Sequence, residues 1–189
     1  MRKLRITVGL LLGAFLLSSC SLIPQSKDPV AVPKNQVPFG LLGKNIPGTN
    51  TSVQFTQAPI YLIRSGKLVV ARRIVIAPIQ VADVINQLVL GLTEQDIASG
   101  KTSAIPRGLK ILQVSVLNGV TRVNLASSIA AFSLIEQPPS VGQIVLTANA
   151  AGAKNGVVFA IEGVTQDAIT PSGKTVAKSF AYEFSGLLN

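Results

Sequence analysis

The chain has 189 residues, of which 48% are apolar, 5% aromatic and none tryptophan, which suits one domain with an aliphatic core and excludes disorder of the whole chain. It contains no histidine and one cysteine, so an internal disulfide, His-ligand zinc sites and Ser-His-Asp or Cys-His catalysis are excluded. The formal charge is +9, but outside Arg72-Arg73 the basic residues are scattered, and neither the dense Lys/Arg stripe nor the reader motif of a nucleic-acid binder is present.

In chain order, the first segment reads as an export leader. "MRKLR" is a positive n-region, and "ITVGLLLGAFLL" is an apolar run of twelve residues, shorter than the ~20 residues a membrane-spanning helix needs. Leu17-Ser18-Ser19-Cys20 follows and resembles a bacterial lipobox, in which the cysteine becomes the acylated N-terminus. The two small residues fit the narrow cleft of a signal peptidase. The resemblance implies a leader over 1–19 and a diacylglyceryl group on Cys20. Two acyl chains hold a protein to a membrane far better than one. The expected location is therefore the outer side of the cytoplasmic membrane, in the cell envelope. Removing Arg2, Lys3 and Arg5 leaves 14 basic against 8 acidic residues, a balance suited to lipid head groups or anionic wall polymers.

Residues 20–52 form the next unit, the cysteine followed by a stretch with five prolines and three glycines. That composition predicts an extended tether, with "VPFGLL" a candidate for docking on the domain. The folded domain is expected over 53–189. "APIYLIRSGKLVVARRIV" predicts two strands joined at Ser65-Gly66. In "APIQVADVINQLVLGLT", Val81, Val84, Ile85, Leu88, Val89 and Leu92 recur at helical spacing. Asp83, Asn86 and Gln87 face away, Pro78 suits the first turn and Gly91 the end.

"LKILQVSVLNGVTRVNL" predicts a hairpin closed by Asn118-Gly119, the preferred pair for a type I′ turn. A two-residue loop pairs Leu112 with Leu125, Val114 with Val123 and Val116 with Thr121 on one face. Gln113 with Asn124 and Ser115 with Arg122 fall on the other. "PPSVGQIVLTANAAG" predicts a second helix, with Val141, Ile144, Val145 and Ala148 on one side and Gly142 weakening it. "NGVVFAIEG" predicts a buried strand, and "PSGKTVAKSFAYEF" a turn followed by an edge segment. The order β-β-α-β-β-α-β predicts an α+β fold, a mostly antiparallel sheet with two helices packed on one face.

Chemistry is sparse along this chain. The eight carboxylates are dispersed, and no spacing places two on one helix face. A carboxylate pair assembled from different segments remains open, as does Ser-Lys chemistry at Ser65-Lys67 or Ser172-Lys174. Both Ser-Gly-Lys stretches are also ordinary turn chemistry. No phosphate-binding glycine loop, metal site or cofactor motif is present. Arg64, Lys67, Arg72 and Arg73 cluster around the first hairpin. They read either as a basic interaction patch for an anionic partner or as a charged, solvated edge that blocks strand-to-strand aggregation.

From about Pro59 to Leu188 the sequence resembles the GerMN domain of sporulation and spore germination proteins. "IYLIRSGKLVVARR" is similar to its opening hairpin and "LVLGLTEQD" to the end of its first helix. "TSAIPRGLKILQVSVLNGVTRVNLASSIAAF" is similar to its central hairpin, including Pro106, Gly108 and Phe132, and "GQIVLTA" to its second helix. The chain departs from the pattern at Leu92, where a Gly-Pro-Thr turn is common, and at Asn124, where aspartate is common. The resemblance implies a compact α+β domain, similar to ring-building motifs and frequent in envelope lipoproteins, with no known enzymatic activity.

The resulting expectation is a non-enzymatic, lipid-anchored envelope protein whose domain binds a protein partner or an anionic wall polymer, with self-association a further option and no nucleic-acid partner. The alternatives are an envelope hydrolase using carboxylate or Ser-Lys chemistry, and a carrier of a small hydrophobic ligand between helices and sheet.

Overall fold

A computed structural model describes residues 53–189. Cys20, the lipobox residues Leu17, Ser18 and Ser19, and the "VPFGLL" segment lie outside the described residues.

Two long strands, β1 (Phe55–Arg64) and β2 (Lys67–Ile76), open the domain as an antiparallel ribbon. Ser65 and Gly66 both adopt left-handed backbone, with φ of 52° and 78°. This is the type I′ geometry whose twist matches that of the flanking strands. Helix α1 (Val81–Val89) follows and buries Val81, Val84, Ile85 and Leu88 as the periodicity predicts. The helix is shorter than expected at both ends: Pro78 precedes the N-cap Gln80, and Leu90 is the C-cap, so Leu92 lies beyond it. A one-turn helix, α2 (Glu94–Ala98), comes next.

The central hairpin consists of β3 (Ile111–Leu117) and β4 (Val120–Leu125). Asn118 and Gly119, at φ 53° and 75°, form the expected turn. From Leu117↔Val120 to Gln113↔Asn124 the register is the predicted one. A bulge then intervenes: Ile111 pairs with Leu125, and Leu112 is unpaired and 51% exposed. A bulge inserts one residue without a partner and returns the next one to the buried face. Strict alternation could not show this, because Ile111 and Leu112 are equally apolar.

Two helices lie between β4 and β5. Ser128 caps α3 (Ile129–Glu136) by accepting from the Ala131 N–H at 3.2 Å. Pro138 and Pro139 open α4 (Pro138–Ala150), where their missing N–H groups cost no helical bond. Strand β5 (Val157–Ile161) lies parallel to β4, and β6 (Val164–Gln166) returns antiparallel to it. A small pair, β7 (Ala168–Ile169) and β8 (Thr175–Val176), and a 3₁₀ helix over Ala181–Leu187 complete the domain. The fold is α+β with three sheets: the β1-β2 ribbon, the mixed β3-β4-β5-β6 sheet and the β7-β8 pair. Where two helices were expected, the described residues hold four α-helices.

Helix α4 is the central element, in contact with β1, α1, α3, β7 and the 3₁₀ helix. It is buried from Ser140 to Ala148 all round. Its polar residues Ser140, Gln143 and Thr147 sit at i, i+3 and i+7, on one face, and that face meets unpaired backbone. The Thr147 hydroxyl accepts from the Tyr61 N–H at 3.0 Å, and the Gln143 amide donates to the Tyr61 carbonyl at 2.8 Å. Gln143 Oε1 accepts from the Ala104 N–H at 2.7 Å, while the Ser140 hydroxyl donates to the Ala104 carbonyl at 2.6 Å. Together with the Ile63 and Thr102 backbones, which exchange two bonds of 2.9 and 2.7 Å, these side chains close the outer edge of β1. Gly142 allows the 3₁₀ helix to approach: a Cβ there would lie 2.9 Å from Phe184 and 3.2 Å from Leu68.

Candidate functional site

The other edge of the ribbon is open. Tyr61 and Ile63 direct their N–H and C=O groups away from β2, as their bonds to α4 and Thr102 establish. The residues opposite them, Val70 and Leu68, must then direct theirs away from β1, because antiparallel pairs alternate between bonded and non-bonded. By the same alternation Arg72, opposite Pro59, and Ile74, opposite Gln57, also point outward. At Leu68 that edge is taken by the Asn189 N–H at 3.3 Å, and at Arg72 the carbonyl accepts from Arg73 Nη1 at 3.1 Å. The outward amides of Val70, Arg72 and Ile74 have no partner among the described residues.

Side chains along this edge are apolar and exposed: Val70 is 48%, Ile74 68% and Ile76 54% exposed. Phe55, opposite Ile76 on the same face, is 67% exposed. Helix α2, Gln87 and Lys101 stand beside the edge and form the wall of a shallow groove whose floor is Val70 to Ile74. Exposed unpaired strands are templates for pairing, and a charge in their middle is the usual guard against it. Arg72 stands in that position.

The groove wall is fixed by a buried ion pair. On the covered face of β2, Arg73 is 8% exposed and its Nη2 lies 2.5 Å from Asp96 Oδ2. The same nitrogen donates to the Gly91 carbonyl at 3.2 Å. Asp96 also belongs to the capping box of α2. Thr93 donates its N–H and hydroxyl to Asp96 Oδ2 at 3.1 and 2.9 Å and accepts from the Asp96 N–H at 3.2 Å. Lys101 approaches Oδ1 at 3.4 Å. Burial pushes the Asp96 carboxyl up, but the Thr93 hydrogen bonds and the Arg73 guanidinium outweigh it, so its pKa falls from 3.8 to about 2. The carboxylate remains ionised and fully engaged, which makes it a clamp and unsuits it to proton transfer.

The four basic residues singled out from the sequence therefore do not form one patch. Arg64 and Lys67 are paired across the hairpin end, as expected, and the Lys67 ammonium donates to the Gly186 carbonyl at 2.9 Å. Arg72 is exposed on the same strand, roughly 16 Å further along at ~3.3 Å per residue. Arg73 projects to the opposite face, where Asp96 neutralises it. Sequence reasoning missed Asp96, although Thr93-x-x-Asp96 has capping-box spacing.

Neither Ser-Lys stretch forms a dyad by hydrogen bonding. Ser65 sits in the first turn, with Lys67 committed to Gly186; the Ser172 hydroxyl lies 3.0 Å from Thr170, whose own hydroxyl donates to the Lys174 carbonyl. Among the described residues no group of three or more Asp, Glu, Cys or His could hold a metal ion, and no helix is long and apolar enough to cross a membrane. Asn124, the departure from the family's usual aspartate, accepts from the Gly163 N–H at 2.8 Å and fastens the β5-β6 turn.

Over 72% of the chain the fold matches the tandem GerMN domains of the sporulation protein GerM from Bacillus subtilis, with a TM-score of 0.53 and 13% identity. The match covers 49% of that protein, so the chain spans about half its length. A putative lipoprotein from Clostridium perfringens aligns over 66% of this chain and 87% of its own, with a TM-score of 0.40 and 10% identity. A search of curated proteins returned no match. The family model Germane, described as sporulation and spore germination, matches residues 59–167. With more than half of its length so matched, the chain belongs to the Germane family.

Proposed function

We propose that this protein is a non-enzymatic, lipid-anchored module of the cell envelope, and that it takes an extended segment of a partner protein onto the outer edge of β2. The observation that carries the reading is the row of outward amides at Val70, Arg72 and Ile74, without partners among the described residues, beside exposed Val70, Ile74 and Ile76. Strand addition supplies affinity through main-chain hydrogen bonds and specificity through alternate side chains. The fitting segment carries apolar residues at every second position and an acidic residue opposite Arg72, where opposite charges favour pairing and like charges disfavour it. The process in which it acts is the one the family is named for, sporulation or germination.

Anchoring follows from Leu17-Ser18-Ser19-Cys20: acylated Cys20 holds the protein on the outer side of the cytoplasmic membrane, and residues 21–52 tether the domain to it. Cys20→Ala should move the protein from the membrane fraction to the soluble one; unchanged fractionation removes the anchor from the account. Ile74→Lys places a second charge on the edge and should abolish partner binding while leaving the melting temperature within a few degrees, since Ile74 is 68% exposed. The hydrolase alternative needs a free nucleophile and base, and the Ser-Lys stretches offer none in contact. The carrier alternative needs space between helix and sheet, where Thr147 and Gln143 of α4 bond directly to the Tyr61 backbone of β1.

A further inference from the structure

The end of the domain opposite in chain order to the ribbon carries a feature that the β2 edge does not explain. Phe180 and Tyr182 stack with ring centroids 5.4 Å apart and planes at 18°. Tyr182 is 72% exposed, and its hydroxyl has no hydrogen-bond partner among the described residues. A large ring left in water gains nothing for folding beyond its contact with Phe180.

The backbone that carries the stack is anchored on both sides. Ser179, just before it, exchanges backbone bonds of 2.8 and 2.9 Å with Val157 of β5. The Phe180 N–H donates to Glu183 Oε2 at 2.6 Å, and the Tyr182 carbonyl accepts from the Ser185 hydroxyl at 2.8 Å. Gly156 backs the ring so closely that a Cβ there would lie 3.2 Å from Phe180 Cδ1. The Lys178 ammonium sits 5.0 Å from the Phe180 ring centroid, an attractive placement for a cation on an aromatic face. The result is an aromatic shelf with an unengaged hydroxyl at its rim, its inner ring, Phe180, carrying the Lys178 ammonium.

We propose that this shelf is a glycan-binding site, with a pyranose ring of the polymer stacked on Tyr182. A pyranose presents a face of C–H bonds, which packs on the electron-rich face of an aromatic ring. Its rim of hydroxyls can exchange hydrogen bonds with Tyr182 Oη. A nucleic-acid strand would stack as well, but it needs a run of cations along its phosphates, and among the described residues Lys178 is the one cation placed on the stack. A peptide strand needs an open backbone edge, and here the backbone of Ser179 is already paired with β5. The site is distinct from the β2 edge, and it rests on the envelope reading only for the source of its ligand.

The test uses the full-length chain purified in detergent, titrated with the β-1,4-linked tetramer of N-acetylglucosamine. The chain contains two tyrosines and no tryptophan, so tyrosine emission reports Tyr182 against a background from half-buried Tyr61 alone. The expected result is a saturable change with a dissociation constant on the order of 1 mM, as one stacked ring and a few hydrogen bonds give. By calorimetry, Tyr182→Ala should weaken binding roughly tenfold or more, Tyr182→Phe should retain most of it, and both should melt where the parent does. Ile74→Lys should leave saccharide binding intact, so loss of the strand-addition site and loss of this one are separable. An absence of saturable binding overturns the proposal, as does equal affinity in Tyr182→Ala. A proline-rich peptide that binds at Tyr182 while the saccharide does not would overturn it too, and would assign the shelf to protein recognition.

Discussion

At the scale of single residues, Asp96 and Gly142 determine the most. Asp96 has its pKa lowered from 3.8 to about 2. A carboxylate stabilised in this way contributes fully above its unfolded value and loses the contribution as pH falls through the folded one. The difference is about 2 kcal/mol, lost between roughly pH 4 and pH 2. Urea denaturation across that range should show a shallower acid dependence in Asp96→Asn than in the parent. Arg73→Ala should cost about 3 kcal/mol at neutral pH, because it strands a buried carboxylate. The double replacement Arg73→Met, Asp96→Leu should recover much of that loss, as apolar substitutes for buried ion pairs often do. The pair was hidden from sequence reading because Arg73 adjoins Arg72, and two consecutive arginines read as one charged patch until the strand's period of two sends them to opposite faces. Gly142 reads as a helix weakener in sequence, and in the structure it is the point where Phe184 closes on α4. Gly142→Ala should destabilise by about 1–3 kcal/mol despite its better helix propensity, as chemical denaturation would show.

At the scale of elements, legibility followed periodicity. Helix α1 and both hairpin turns were readable because one face is apolar and the other polar, or because Asn-Gly and Ser-Gly fit left-handed backbone. Helix α3 was not, since "IAAFSLI" is apolar almost throughout and carries no face to detect. Helix α4 was readable as a helix but not as the centre of the fold. Ser140, Gln143 and Thr147 form a polar stripe, yet they are buried and replace strand partners along β1 and at Ala104. Unmet backbone groups in a core cost about 1–3 kcal/mol each, so such a stripe is strongly required. Thr147→Val should therefore speed hydrogen exchange at the Tyr61 amide while leaving the β4-β5 amides protected. Equal protection of the Tyr61 amide in parent and variant would show that this edge is closed by something other than α4. The bulge at Leu112 and the parallel β4-β5 pairing were invisible for another reason: both depend on partners distant in sequence.

At the scale of the whole molecule, the domain offers two unlike surfaces. One is an open strand edge flanked by Val70, Ile74 and Ile76; the other is the Phe180-Tyr182 shelf. In the function proposed above, the protein is tethered through Cys20 and uses both to hold a partner segment and a wall glycan at the membrane surface, with no catalytic step. The candidate site was only partly legible in sequence. Arg72 was singled out as a charge, but its meaning depends on which backbone groups around it are unpaired, and that is settled by α4 closing the opposite edge of the ribbon. The central claim is that β2 receives an added strand, and the most direct measurement is site-specific photo-crosslinking in intact cells from positions 70 and 74, compared with position 117. Leu117 is 75% exposed but lies on the β3-β4-β5-β6 sheet. The account predicts one discrete adduct from both edge positions, mapping to an extended segment with apolar residues at alternate places and lost when Ile76→Lys is added. No adduct from the edge, or the same adduct from position 117, would contradict it.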